Sequence, residues 1–240
     1  MKQTIFLAII ITLLLTPVFA FFNQQEVSVY NQPDSPLRLS NVVSKWRIST
    51  DDKEQEWNML TVEFVSQNVS NKTIRAYTIR QFEGEFNKGK GLTQFSYTTT
   101  PSGLLKPNQL CNEEIGEGGY RQIPQSIKLA VDFVEFTDGS TWGQDISESA
   151  QQLAGVRAGR EAFLEHLKII NKQNGIEAVI KALDEIKDVL PPNDKSEIWK
   201  RGFRSGTSTI KFLMKSAYEK EGIKGAEIEL QKSFDNSFSN

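Results

Sequence analysis

Hydrophobic and polar positions follow two different periods along this chain, and the change falls near Trp142. Before it, Leu60, Val62 and Phe64 alternate with Thr61, Glu63 and Val65, the two-residue period of a strand with one face in a core. Ile127, Leu129, Val131 and Phe133 alternate in the same way with Lys128, Ala130 and Asp132. Ile74 to Phe86 reads as another long strand or bent pair, entered through the polar turn Asn68–Lys72. Asp138-Gly139 lies between two strand-like triplets and predicts a two-residue hairpin turn with positive φ at both central positions. Around seven strands separated by turns make an all-β half.

After Gly143 the apolar spacing becomes helical. Asp145 and Glu148 have capping-box spacing, so a first helix is expected to start there, with Leu153, Val156, Phe163, Leu167 and Ile170 on its apolar face. Gly175 is read as its end. Ile176, Val179, Ile180, Leu183, Ile186 and Leu190 mark a second helix, stopped by Pro191-Pro192. Asp194 and Glu197 repeat the capping signal for a third helix through Trp199, Phe203, Ile210 and Leu213. Gly222 ends it, and Ile223, Ala226, Leu230 and Phe234 define a fourth. Residues 154–183 match 201–230 without gaps at an offset of 47, with seven identities in thirty positions. Gly155, Arg157 and Gly159 fall on Gly202, Arg204 and Gly206, and Gly175-Ile176 on Gly222-Ile223. A duplicated helical hairpin, closing as a bundle of about four helices, is the architecture this predicts.

The β half resembles the small immunoglobulin-like modules of the FxLYD type found in exported bacterial proteins. The residues that carry the resemblance are 71–77 (Asn-Lys-Thr-Ile-Arg-Ala-Tyr), 105–109 (Leu-Lys-Pro-Asn-Gln) and 131–142, from Val131 to Trp142. It covers only this half and implies architecture rather than one activity. The expected fold is therefore α+β in two parts: an immunoglobulin-like antiparallel β-sandwich over 27–143, then a four-helix region over 145–236.

The start of the chain adds a destination. Lys2 is followed by the apolar stretch Ile5–Leu15, broken only by Thr12. Pro17 and Val18-Phe19-Ala20 then supply the features of a signal peptide cleaved after residue 20. That core is shorter than the roughly twenty residues a bilayer span needs. Phe21-Phe22 lengthens the run, so an uncleaved membrane anchor is the alternative to a periplasmic or extracellular protein.

Charge narrows the partners. Residues 21–145 carry 12 Lys and Arg against 16 Asp and Glu, and residues 146–240 carry 15 against 14. Neither half has the positive field that nucleic acid binding requires. The single Cys111 excludes an intramolecular disulfide, and its ordinary role is a small buried apolar residue. With one His and one Cys, H-E-x-x-H, C-x-x-C, G-x-S-x-G and P-loop motifs are all missing, and no cofactor or metal is expected. Asp51, Asp52, Glu54 and Glu56, and likewise Glu113, Glu114 and Glu117, lack calcium-loop spacing and read as solvated loops. His166 falls on a small-residue stripe and reads as a packing residue.

Two sets of residues remain. Gly155, Gly159, Gly202 and Gly206 sit at helical spacing, where mid-helix glycine costs about 1 kcal/mol relative to Ala, and close helix approach is the compensation. Arg157 and Arg204, equivalent in the offset, are candidate anion-binding residues. The expected function is that of an exported, non-enzymatic binding or structural protein, with a protein or glycan partner contacted by strand edges or sandwich loops. A carboxylate-dependent hydrolase of the cell envelope and a helical assembly or ligand-binding domain are the alternatives.

Overall fold

The computed structural model describes residues 27–86, 91–97, 103–185 and 189–237. The segment read as an export signal and Phe21-Phe22 lie outside the described residues. Eight strands come first: β1 (Val27–Val29), β2 (Leu37–Thr50), β3 (Glu56–Asn68), β4 (Ile74–Phe82), β5 (Gly91–Tyr97), β6 (Leu110–Tyr120), β7 (Ile127–Phe136) and β8 (Thr141–Gly143). Two helical elements follow, α1 (Ser149–Glu185) and α2 (Glu197–Ser237).

The strands form two sheets. One runs β1-β7-β4-β5, with β8 also on β7, and the other β2-β3-β6. β1 is parallel to β7 at Ile127–Leu129, and β8 is antiparallel to it at Phe133–Glu135, so both short strands cap β7. The sheets share one apolar core. Leu37, Leu39, Leu60, Val62, Phe64 and Ile115 come from the three-stranded sheet, and Ile74, Ile79, Ile127, Leu129, Val131 and Val134 from the other. In β3 the alternation read from Leu60, Val62 and Phe64 continues as strictly alternating burial.

β4 and β7 depart from that alternation and are buried almost throughout. Part of their second face is covered by the start of α1, where Leu153 packs on Ala76 and Phe133. The β1-β7-β4-β5 sheet thus lies in the middle, between the other sheet and the first turns of α1. The β7–β8 turn also differs from expectation. Only Gly139 has positive φ, 81°, and the Gly139 N–H donates to the Phe136 carbonyl at 3.0 Å. This is a longer turn closed by a left-handed glycine rather than a two-residue turn with both centres left-handed.

The expectation of about four helices in a bundle, as a duplicated hairpin, is corrected. Two long helical elements occur among the described residues, each joining two helical stretches across a kink. The two glycines read as stops are instead interruptions within them, Gly175 at φ 78° and ψ 176°, Gly222 at φ 66° and ψ −151°. Glycine tolerates these angles without a Cβ penalty, so the chain kinks at these two positions. Residues on both sides of each bend enter one core: Phe163, Leu167, Val179 and Leu183 of α1, and Ile210, Met214, Ala226 and Leu230 of α2. Each α2 residue in that set is 47 positions beyond its α1 counterpart.

The helix starts are also displaced from the capping-box readings. α1 begins at Ser149, and the Asp145 carboxylate accepts hydrogen bonds from the Ser149 and Ala150 N–H groups. At α2 the cap is Ser196, whose Oγ accepts from the Trp199 N–H at 3.2 Å.

Candidate functional site

A cleft of about 370 Å³ opens at one end of the middle sheet, lined by Tyr30, Gln32, Phe82, Gly84, Glu85, Phe86, Lys128 and Gln144. This lies within the roughly 300–1,000 Å³ of small-molecule sites. Its construction follows from the strands. Phe82 ends β4 opposite Lys128 of β7, and the Tyr30 N–H, just after β1, donates to the Leu129 carbonyl at 2.7 Å. Beyond β4 the chain turns through Gly84, at φ 73°, and returns Phe86 to the wall. Phe86 packs edge-on to Phe82, with ring centroids 5.3 Å apart, and against Tyr30 at 6.0 Å. Buried Arg80 fixes this turn by donating from Nη1 to the Phe86 carbonyl at 2.6 Å.

The apolar wall faces polar groups. Gln32 and Gln144 supply amides, and Glu85 and Lys128 supply opposite charges. The buried Oε1 of Gln32 has no hydrogen-bond partner among the described residues. A buried acceptor left unpaired costs about 1–3 kcal/mol.

A second polar assembly lies under the helices. Glu135 of β7, almost fully buried, accepts from Arg75 of β4 and from Arg157 Nη2 of α1, the latter at 2.8 Å. Thr78 Oγ1 and Ser149 Oγ are 2.8 Å apart. Buried Asp132 accepts from the Ile146 and Ser147 N–H groups, both at 2.9 Å. Asp145 beside it has its carboxyl raised above the usual range, first by burial and further by the Asp132 charge, against the opposing pull of the helix N–H groups.

Arg157 pairs with Glu135, whereas Arg204 is exposed. The Glu197 carboxyl is held below its usual range chiefly by Lys200 and to a smaller extent by Arg204. The glycines lie where α1 and α2 touch. A Cβ on Gly155 would sit 2.1 Å from the Trp199 carbonyl oxygen, and one on Gly159 2.1 Å from that of Phe203. Gly202 and Gly206 meet the carbonyls of Gln152 and Val156 in the same way, which repeats the offset of 47. Partners advance together along both helices, so these first segments run parallel with backbones in contact.

The acidic clusters resolve differently. Asp51 organises the β2–β3 turn, accepting from the N–H groups of Lys53 and Gln55 and from Trp57 Nε1, and these bonds hold its carboxyl below the usual range. Glu113 and Glu114 are in β6, not in a loop. Glu113 faces inward opposite Phe64, accepts from Tyr77 Oη and Ser66 Oγ, and is raised above its ordinary pKa chiefly by burial. Glu114 instead pairs with Glu63 on the outward face, so strand alternation directs the two neighbouring carboxylates apart. No group of three or more metal-ligating side chains occurs among the described residues. Cys111 is free, half-buried, and packs at the edge of the sandwich core. His166 is half-buried on α1. No helix among the described residues is long and apolar enough to cross a membrane.

Sequence reasoning did not single out the cleft residues, because four separated stretches supply them. No family model matches the chain, and no curated protein matches it. A solved chain described as the X-ray structure of Northeast Structural Genomics Consortium target SoR45 is similar over 45% of this chain and 79% of its own length. Identity is 11% and the TM-score 0.30, too low to carry an argument.

Proposed function

We propose that this chain is an exported binding protein, released after residue 20, whose strand layers hold a ligand or partner at the cleft between β1, β4 and β7. The observation that carries this reading is the cleft itself. Its aromatic wall is fixed by a buried arginine, and its rim holds two amides, a lysine and one carboxylate. Such a mixture serves recognition. Acid–base hydrolysis by carboxylates calls for two converging acids, and Glu85 is the cleft's one carboxylate among the described residues. The buried ion cluster at Glu135 fastens α1 to β4 and β7 toward the end of the sheet away from the cleft, and gives the helices a supporting role in this reading.

The test is capture of partners by the exported chain from its own envelope or medium, run beside a turnover assay on glycan and ester panels. A partner whose capture is lost with cleft substitutions supports the proposal. Turnover that survives those substitutions, without a partner, overturns it. Sequencing the mature N-terminus checks export separately: a start at Phe21 is expected, and an intact Met1 in the membrane fraction would replace release by anchoring.

A further inference from the structure

We infer that the cleft takes a neutral saccharide, a proposal that rests on the binding reading above and names its ligand class. Three features point to this chemistry. First, the charges at the rim oppose each other: an anion attracted by Lys128 meets Glu85, and a cation attracted by Glu85 meets Lys128. A ligand without net charge incurs neither repulsion. Second, the hydrogen-bonding groups are of both kinds. Gln144 presents a donor and an acceptor, Lys128 donates and the Glu85 carboxylate accepts. Hydroxyl groups, which donate and accept at the same oxygen, satisfy such a set in a way that a purely accepting or purely donating ligand cannot.

Third, the aromatic wall has one accessible member. Phe82 and Phe86 are buried and form its foundation, whereas Tyr30 is 49% exposed and leans on Phe86. An exposed ring held by a buried one offers a flat apolar face to the C–H side of a pyranose, with its hydroxyl available at the edge. The site is also preformed, since the Arg80 bond to the Phe86 carbonyl and the Tyr30 bond to β7 are made without ligand. Preorganisation lowers the cost of binding a flexible, strongly hydrated molecule.

The experiment is an array of neutral oligosaccharides and matched anionic ones, made with uronate or sulfate, probed with the mature chain. Hits are then quantified by calorimetry. Binding of a neutral member is expected, weakened about tenfold or more by Tyr30→Ala and by Gln32→Leu. Tyr30 is at the surface, and an unchanged melting temperature for Tyr30→Ala would assign its effect to the site rather than to folding. Exclusive binding of the anionic members, a neutral hit indifferent to both substitutions, or no hit across the array each overturns the inference. The binding reading fails separately: if the array is empty yet a partner captured from the envelope is lost with Tyr30→Ala, the cleft binds something other than a neutral saccharide.

Discussion

The two faces of the middle sheet are built from the same strands and packed by opposite means. Toward the outer sheet, β4 and β7 present Ile79, Leu129, Val131 and Val134, and the interface is mainly apolar, with the Tyr77–Glu113 and Gln81–Tyr120 bonds among its few polar contacts. Toward the helices the same strands present Thr78, Arg80, Asp132 and Glu135, all buried and all hydrogen-bonded or ion-paired. The first face draws its stability from area removed from water, which is non-directional. The second places polar groups where a misaligned helix would leave them unpaired, so it fixes where α1 docks. Adhesion and registration are divided between the faces.

The largest expected effect lies on the apolar face. Leu129 is fully buried, and Leu129→Ala should cost about 2–5 kcal/mol by denaturant unfolding, the usual range for a cavity in a rigid core. A loss below about 1 kcal/mol would mean that the two sheets close over the vacancy, contradicting a close-packed interface.

On the polar face, Glu135→Ala leaves two guanidinium groups without their shared acceptor. Removing one partner of a buried ion pair costs about 3–5 kcal/mol. Here Arg75 and Arg157 are partly exposed, so about 2–3 kcal/mol is the expected loss. The sharper readout is coupling. Glu135→Ala combined with Arg157→Ala should be milder than the sum of the single changes, because the double variant strands one fewer cation. Strict additivity would show that the helices dock without using this cluster.

The helices themselves pack by a third device, backbone against backbone. Gly159→Ala gains about 1 kcal/mol of helix propensity, yet its Cβ would sit 2.1 Å from the Phe203 carbonyl oxygen. Strain of about 1–3 kcal/mol should prevail, giving a net loss of up to about 2 kcal/mol. A melting temperature raised by this substitution would show that α1 and α2 separate at little cost.

Legibility in the sequence divides along the same lines. The apolar face was readable because it needs only a local period, and Leu60, Val62 and Phe64 display it within five residues. The helix contact was readable in part, since glycines at helical spacing carry a cost that calls for a neighbour. The polar face was not. Asp132 alternates with apolar residues as a solvent-facing position would, and nothing near it announces that residues 146–147 will cover it. Gly175 and Gly222 marked where helical geometry is interrupted, but a local signal did not show that the stretches on both sides of each kink enter one core. The cleft was the least visible feature, because Gln32, Phe86, Lys128 and Gln144 meet only when β1, β4 and β7 have assembled.

The smallest expected effect is a pH dependence at the corner where the polar face begins. Asp145 is raised above 3.8 mainly by burial, with Asp132 adding repulsion. Its folded state therefore holds the proton more tightly than the unfolded chain does. The associated stability is fully present below the unfolded pKa near 3.8, and it is lost as pH rises through the raised folded value. Carboxylates held low by partners, such as Asp138 beside Lys72, act with the opposite sign and lose stabilisation as pH falls. The difference between the native chain and Asp145→Asn isolates the first term. Asn also accepts the left-handed backbone at this position, φ 52°, and keeps one acceptor for the helix N–H groups. As pH rises from below 3.8 through the raised folded value, the native chain should lose stability relative to the variant. A difference that slopes the other way would mean that the helix N–H groups outweigh burial at this corner. The polar face would then stabilise the charge it encloses as well as position the helix above it.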